Sequence, residues 1–233
     1  MTQDKMLHGK PNVRPREVDE ELSWFEKSPP GTHCLVLFPD LTTLRRVYSH
    51  YTKILLEDYN EIVLILPYYE TTEMVRLALS GRDASSRKIN DSSRYSGLNV
   101  SKYVKEGSLV IMDSIKGYFP SEVQSYSSEN DLNVGLAFTS YIHRLLKQAE
   151  NQKKGGVTVL SDLGSFHHFF YNGNQKLIEY ERSLPKNYDG MNLKGFCLYQ
   201  RDDFERKFSQ KQQTELLDCH GRNIMLQFLG LRT

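Results

Sequence analysis

The stretch that decides the fold lies between Gly155 and Arg201 and reads GGVTVLSDLGSFHHFFYNGNQKLIEYERSLPKNYDGMNLKGFCLYQR. Its apolar, β-branched run at residues 157–160 ends in a polar turn, and apolar residues at helical spacing follow up to Leu184. A second apolar run, at residues 193–199, then ends in polar residues. This order of strand, turn, helix and strand is typical of a parallel sheet, in which functional groups gather where the strands end.

The rest of the chain repeats this alternation of short apolar runs and longer segments with helical spacing. The other predicted strands are His33–Phe38, Glu61–Leu66, Leu109–Met112 and Asn223–Leu229. The predicted helices run from about Thr42 to Asp58 and over 71–79, 98–104, 132–148 and 210–219, besides the one at 177–184. Residues 114–130 are expected to form an irregular polar connection. Continuous apolar strands indicate burial on both faces, so the sequence predicts a three-layer α/β/α domain with a mostly parallel central sheet.

Composition argues against a nucleic-acid-binding or membrane protein. The chain has 233 residues, of which 39% are hydrophobic and 25% charged, and its net charge of +1 gives no electrostatic case for binding nucleic acid. No apolar run approaches the roughly 18 residues that span a membrane, and the first residues lack the apolar core of a signal peptide. Cys34, Cys197 and Cys219 are far apart and odd in number, which favours reduced thiols and a cytoplasmic location.

Two parts of the chain are predicted to differ from the packed domain. Residues 1–30 form an N-terminal arm with one amphipathic helix over 17–27, which the Pro-Pro-Gly sequence at 29–31 ends. Residues 31–233 form the α/β domain. Within it, residues 80–96 are rich in Ser, Arg, Asp and Asn, so we expect a long mobile loop there.

Four segments carry a resemblance to a known family. The first is GTHCLVLF at 31–38, and the second runs from Leu98 to Asp113 and ends in an aspartate. The third is LIEYE at 177–181. The fourth is GFCLY at 195–199, with Phe204 and a helix that leads into His220. In this order and spacing they resemble the MEDS domain, the methanogen/methylotroph DcmR sensory domain, over most of the chain from residue 31 onward.

The resemblance implies a RecA/KaiC-like fold and a sensory role in signalling. Ligands of the C1 or halogenated-hydrocarbon kind are proposed for that family, and RecA-like surfaces are compatible with homo-oligomers. This chain departs from the family in its N-terminal arm and in the very polar loop at 80–96. It shows no kinase region and no helix-turn-helix, so we expect any output to pass through a signalling protein in trans or through an oligomer.

The sequence does not encode a nucleotide site of the usual kind. A P-loop needs G-x-x-x-x-G-K-[ST], because its glycines let backbone N–H groups surround phosphate while Lys and Ser/Thr hold phosphate and Mg²⁺. The first strand leads instead into Pro39, which removes a donor, and Asp40, which repels phosphate. Asp40 or Thr42 is a candidate cap for the next helix. Asp162 is open to two interpretations: it binds Mg²⁺ through a water molecule, or it caps a helix. Because the P-loop is missing, the sequence favours the helix cap.

Neither a metal site nor catalytic machinery is predicted. The two histidines at 167–168 point to different helix faces, and the other histidines show no ligand spacing. We expect His33 and His220 to make structural hydrogen bonds near their strands. Glu179 and Glu181 face apart on a helix, and solvated helix charges are the favoured interpretation of both. The alternative, which keeps Glu179 among the candidate site residues, is that Glu179 reaches into a cleft. No nucleophile motif is present, so no catalytic residue and no cofactor is assigned.

The remaining candidate site is a cleft at the carboxyl ends of the strands, where a small organic ligand would bind. Its expected residues are Phe38, Asp40, Tyr68, Tyr69, Asp113, Asp162, Glu179, Tyr199 and Arg201. The alternative is that these are ordinary loop and core-edge residues. The sequence therefore predicts a non-enzymatic sensory domain that binds a small organic ligand or a signalling protein. A nucleotide-binding protein or weak NTPase with a non-standard phosphate site, and a structural interaction module, stay as alternatives.

Overall fold

The computed structural model describes residues 23–82, 97–119, 134–169 and 172–226, and of residues 134–137 and 168–169 it describes the backbone alone. Most of the predicted arm and most of the predicted loop at 80–96 lie outside the described residues. The mobile loop, and the division of the chain into an arm and a domain, therefore stay predictions. A helical turn at residues 23–26 is the described part of the helix expected over 17–27.

The described part of the chain forms one six-stranded parallel sheet. The strands are β1 (His33–Phe38), β2 (Ile62–Leu66), β3 (Leu109–Ile111), β4 (Val157–Asp162), β5 (Leu193–Gln200) and β6 (Arg222–Met225). Their order across the sheet is β3-β2-β4-β5-β1-β6, and every neighbouring pair is parallel. The register sets His33 opposite Gly195 and Leu35 opposite Cys197. The predicted parallel sheet is confirmed, with each strand close to its expected place.

Helices connect the strands. They are α1 (Leu41–Glu57), α2 (Thr72–Leu79), α3 (Val100–Lys105), α4 (Ser114–Tyr118), α5 (Val134–Asn151), α6 (Ser165–Phe169), α7 (Gly173–Ser183), α8 (Arg201–Lys207) and α9 (Gln210–Cys219). The expected irregular connection at 114–130 is wrong at its start. There the side chain of Asp113 accepts hydrogen bonds from two backbone N–H groups in the first turn of α4, and so begins that helix.

Both faces of the sheet are covered by helices. On one face, side chains such as Val36 and Leu198 pack against α1, α2 and α3. On the other, side chains such as Leu35 and Tyr199 pack against α4 to α9. Because successive residues of a strand point to opposite faces, each central strand supplies both cores, and the predicted three-layer α/β/α architecture is confirmed. Within the described residues, no helix is long and apolar enough to cross a membrane.

A buried ion pair joins the amino ends of the central strands. Lys194 Nζ lies 2.6 Å from Glu61 Oε1, and both side chains are 7% exposed. The hydroxyl of Thr158 donates to Glu61 Oε2 at 2.5 Å. The ammonium group also lies 5.5 Å from the ring centre of Tyr59. These contacts tie β4 and β5 to the residue before β2, and each charge depends on the other because both side chains are almost wholly enclosed.

We expect Lys194→Met to lower the free energy of unfolding by about 3–5 kcal/mol, because it leaves the Glu61 carboxylate buried without its cation. Adding Glu61→Gln to that variant restores most of the loss, since the amide needs no cation and still accepts the bond from Thr158. Urea unfolding followed by circular dichroism measures both variants. Equal losses in the single and double variants would show that the two charges are not coupled.

Candidate functional site

The turn after β4 is built around a buried carboxylate. Asp162 is 3% exposed. Its Oδ2 accepts from the backbone N–H groups of Tyr68 at 3.3 Å and Tyr69 at 3.2 Å, and its Oδ1 accepts from the N–H of Gly164 at 3.0 Å. The structure thus brings three of the predicted site residues together. It also corrects the expected role of Asp162, which joins the end of β4 to the turn after β2 instead of capping a helix.

Burial and hydrogen bonding act in opposite directions on this carboxylate. Burial raises the pKa of Asp162 to about 7, although the N–H groups of Gly164, Tyr69 and Tyr68 each pull it down. The turn is tight, since a Cβ at Gly164 would lie 2.4 Å from the ring of Tyr68. With its oxygens turned towards backbone amides and its side chain enclosed, Asp162 fits a structural role better than that of a Mg²⁺ ligand.

Two other predicted acidic residues begin helices. The side chain of Asp40 accepts from the N–H of Thr43 at 2.8 Å as the N-cap of α1, as the sequence suggested. Asp113 is the N-cap of α4, and its Oδ1 accepts both hydrogen bonds from the first turn of that helix. These bonds commit each carboxylate to its own helix.

Phe38 and Arg201 are also engaged within the protein. Phe38 is fully buried, with its ring centre 6.2 Å from that of Tyr69. Arg201 begins α8 and donates to the backbone carbonyl of Leu226. The hydroxyl of Tyr69 in turn donates to Asp203 on α8. These predicted site residues are therefore engaged with other parts of the protein.

The predicted position of Glu179 in a cleft is wrong. Its side chain is 48% exposed, and it pairs with Lys176 on the surface of α7 at 3.3 Å. Glu181, two residues later, points inward and is fully buried. Its Oε1 accepts from the hydroxyl of Tyr199 at 2.8 Å, on the face of the sheet that packs against α4 to α9. Tyr199 therefore belongs to the interior and not to the strand-end rim.

A small cavity lies beneath the strand-end rim, on the face that α1 and α2 cover. Its volume is about 20 Å³, roughly the space of one water-sized molecule. Leu160 and Val75 are among its mostly apolar walls, and Tyr48 and Glu70 are among its polar groups. Glu70 is held in place by Arg45 Nε at 2.5 Å and by the hydroxyl of Tyr48 at 3.2 Å. Side chains thus fill most of the expected cleft.

A second group of polar residues, which the sequence did not predict, lies inside the opposite face. His33 on β1, Glu181 on α7, Cys197 on β5 and His220 after α9 are all buried, and one atom from each lies within 4.8 Å of the others. His33 Nε2 is 3.6 Å from Glu181 Oε2 and 3.5 Å from Cys197 Sγ, and His220 Nε2 is 3.4 Å from the same Oε2. We call these four residues the His-Glu-Cys-His cluster. Its groups can hold either protons or a metal ion.

Backbone carbonyls fix both imidazoles of the cluster. His33 Nδ1 lies 2.9 Å from the carbonyl oxygen of Pro185, and His220 Nδ1 lies 2.7 Å from that of Leu216. The structural hydrogen bonds expected for these two histidines are confirmed. Because a carbonyl can only accept, each Nδ1 carries the proton and each Nε2 faces the cluster as an acceptor.

Burial controls the protonation of the cluster. It lowers the pKa of His33 to about 4, with the Glu181 carboxylate opposing the change, and lowers the pKa of His220 to about 4. It also raises the pKa of Glu181, which His33 opposes, and raises the pKa of the Cys197 thiol well above its ordinary value. Both imidazoles are therefore neutral at neutral pH.

Comparison with known proteins does not identify the chain, because no protein-family model matches it and no curated protein matches it. The resemblance to the MEDS domain therefore stays a prediction. The first, third and fourth of the resembling segments supply all four residues of the His-Glu-Cys-His cluster. Since these residues are 16 or more positions apart, no local spacing signals that they meet.

We expect Asp162→Ala to lower the free energy of unfolding by about 3 kcal/mol, because three backbone N–H groups at the strand ends lose their acceptor. Asp113→Ala is the matched control. It removes a carboxylate that also accepts from backbone N–H groups, but from a half-buried helix cap that water can reach, so its cost is about 1 kcal/mol. Urea unfolding measures both. Equal costs would contradict the role assigned to Asp162.

The stability difference between the wild type and Asp162→Ala should also depend on pH. The ordinary pKa of the carboxyl is 3.8, and the folded value is about 7, so the folded chain binds the proton more tightly in between. The stability that this tighter proton binding adds to the folded chain is fully present below the ordinary pKa of 3.8. It is lost as the pH rises through the folded pKa of about 7. We expect the difference, measured by urea unfolding, to shrink from about pH 4 to about pH 8. A difference that grows over this interval would show that the N–H bonds outweigh burial.

Proposed function

We propose that the chain is a non-enzymatic sensory domain that binds one small organic ligand and passes the signal to a partner protein or an oligomer. The observation that supports this proposal is how the side chains are arranged at the carboxyl ends of the strands. Their polar side chains bond to backbone groups and to one another, and beneath them lies a small apolar cavity. Such an arrangement suits recognition of a small molecule better than a reaction, which needs free acids, bases or nucleophiles.

The start of α1 weighs against the alternative of a nucleotide-binding protein. A phosphate there would meet the Asp40 carboxylate, which already takes the N–H of Thr43. Pro39 supplies no donor to the turn. Asp162 is the candidate Mg²⁺ ligand, but its two carboxylate oxygens already accept hydrogen bonds from three backbone N–H groups. The backbone N–H groups near Asp40 and Asp162 are thus taken by carboxylates, and phosphate lacks the donors that it requires.

The position of the cavity supports a route from ligand to signal. Its walls include Leu44 on α1 and Val75 on α2, and both side chains also belong to the core beneath these helices. A ligand larger than the cavity of about 20 Å³ has to move α2 relative to α1 and the sheet. Ligand binding would then favour one position of α2 over another. A partner protein that contacts this surface can bind the two arrangements with different affinity.

We also propose a cytoplasmic location, which the free cysteines support. Cys34, Cys197 and Cys219 form no disulfide with one another, and the first two are buried. Buried thiols in the reduced state are typical of proteins from reducing compartments.

A thermal-shift screen tests the proposal. A ligand at about 100 times its Kd adds about 2.7 kcal/mol, which raises the melting temperature of a chain of this size by roughly 5–10 °C. We expect such a rise with a small C1 or halogenated organic compound. We expect none with Mg²⁺ together with ATP, ADP or GTP, because the described strand ends offer phosphate no free set of donors. A rise with nucleotide would instead support the nucleotide-binding alternative.

A matched pair of variants locates the ligand. Val75→Ile adds one methyl group to a wall of the cavity and should abolish the rise. Val47→Ile adds the same group to the buried face of α1 away from the cavity lining, and should leave the rise intact. A rise that survives Val75→Ile unchanged would place the ligand elsewhere. No rise with any compound of this class would count against the sensory proposal.

A further inference from the structure

We propose that His33, Glu181, Cys197 and His220 form a closed tetrahedral binding site for a divalent zinc ion. The residues come from β1, α7, β5 and the segment between α9 and β6. Cys197 belongs to the core on the face opposite the small cavity. The zinc site is therefore separate from the ligand cavity and does not depend on the function proposed above.

The two imidazoles are oriented as metal ligands are. A histidine that binds a metal through one nitrogen usually donates the N–H of its other nitrogen to a carbonyl or a carboxylate, which fixes the ring and its tautomer. Here His33 and His220 each direct Nδ1 at a backbone carbonyl, at 2.9 and 2.7 Å. Each Nε2 lone pair is thereby turned towards Glu181 and the centre of the cluster. The hydroxyl of Tyr199 orients the carboxylate in the same way, through Oε1.

The centre of the cluster holds more acceptors than donors, since the thiol of Cys197, 3.5 Å from His33 Nε2, brings a single S–H. Glu181 Oε2 and His220 Nε2 lie 3.4 Å apart, and neither has a hydrogen-bond partner among the described residues. Both side chains are 0% exposed, so water does not reach them from outside. Two acceptors that face each other in the interior destabilise the fold unless a proton or a metal ion lies between them. A metal ion supplies that charge and bonds to both atoms at once.

The separations of the ligand atoms fit a small tetrahedral ion. Bonds of about 2.0–2.3 Å to zinc place the ligand atoms about 3.3–3.8 Å apart. The distances from His33 Nε2 to Glu181 Oε2 and Cys197 Sγ are 3.6 and 3.5 Å, and that from His220 Nε2 to Glu181 Oε2 is 3.4 Å. All four atoms lie within 4.8 Å of one another, so closure around the ion needs shifts of only about 1 Å.

The donor set and its charge select zinc. Two imidazoles, one thiolate and one carboxylate are ligands that zinc accepts together, whereas Mg²⁺ and Ca²⁺ require oxygen ligands almost throughout. When zinc binds, the Cys197 sulfur exchanges its proton for the metal, and Glu181 releases any proton that it holds. The two resulting negative charges balance the +2 of the ion, so the buried complex is neutral. A neutral complex avoids the cost of burying net charge.

A site with four protein ligands leaves no position open for substrate, so the ion has a structural role. It would link α7 and the end of α9 to the neighbouring strands β1 and β5. Because all four ligands are buried, the ion has to enter before the fold closes. Removal and replacement of the metal therefore require unfolding and refolding of the full chain.

Metal analysis and refolding of the wild-type chain test the site. Protein purified after expression with added zinc should contain about one equivalent of zinc per chain. Metal-free protein is prepared by unfolding in denaturant with a chelator and a reductant. Refolding with Zn²⁺ should then give a melting temperature roughly 5–10 °C above that of the metal-free chain. Refolding with Co²⁺ should give the thiolate-to-cobalt charge-transfer band and the intense visible bands of tetrahedral cobalt.

Two buried cysteines provide a matched pair of variants. Cys197→Ala removes a ligand and should weaken zinc binding at least about a hundredfold in competition with a chromophoric chelator. Cys34→Ala makes the same change on the opposite face of the sheet and should leave zinc binding unchanged. Glu181→Gln keeps the shape of the side chain and the acceptor for Tyr199 but removes the charge, and should also weaken binding. If a ligand variant does not fold, the cobalt spectrum of the Cys34→Ala, Cys219→Ala double variant still decides, since Cys197 is then the one thiol left in the chain.

Several outcomes would overturn the proposal. One is a wild-type chain that holds well under one equivalent of zinc and refolds to the same melting temperature with and without it. Another is a cobalt spectrum without a thiolate band, or zinc binding that Cys197→Ala and Cys34→Ala change equally. Any of these would show that the four residues share protons and not a metal. None of them bears on the small-ligand screen, so the two proposals fail or stand separately.

Discussion

The structure depends on the burial of both faces of a parallel sheet. Water reaches neither face of the central strands, so a polar side chain placed on them has to find its partner inside the protein. Lys194 on β5 meets Glu61, and Thr158 on β4 donates to the same carboxylate. His33 on β1 bonds to the carbonyl of Pro185. The polar chemistry of this protein therefore lies between its layers as well as at the strand ends, where parallel sheets usually hold their ligands.

The two faces of the sheet differ in what they enclose. On the side of α1 and α2 the core is apolar up to the strand ends, where a small cavity remains below Tyr48 and Glu70. On the side of α7 and α9 the core encloses the His-Glu-Cys-His cluster. In the functions proposed here, a ligand shifts the helices on the first side while zinc holds those on the second. A fixed layer and a movable layer around one rigid sheet suit a protein that reports binding to a partner.

Local packing explains how the cluster is held in the interior. β5 runs beside β1, and the register sets Gly195 opposite His33. A Cβ at Gly195 would lie 2.9 Å from the ring of Tyr188, so the missing side chain lets that ring approach the sheet. The ring of Tyr188 packs on His33 with their centres 4.8 Å apart, and the ring of His220 lies 4.3 Å from His33. These aromatic contacts hold the ring of His33 in place.

The sequence by itself determined the layers. Runs of four to eight apolar residues between segments of helical period predict buried strands and covering helices, and the six strands lie close to where those runs occur. It also predicted that Asp40 is a candidate cap and that His33 and His220 make structural hydrogen bonds. The partners of Asp40 and His220 lie three and four residues away in the chain, whereas Pro185, the partner of His33, is 152 residues away and is set by the tertiary structure. The tertiary structure alone decided that Glu181, and not Glu179, points inward, since this depends on how α7 is rotated against the sheet. It also decided that Asp162 meets amides 93 and 94 residues away and that four distant residues form one cluster. The physical reason is that periodicity reports which side of an element is buried. The partners on that side follow from strand order and register, which place β5 beside β1 and β4 beside β2.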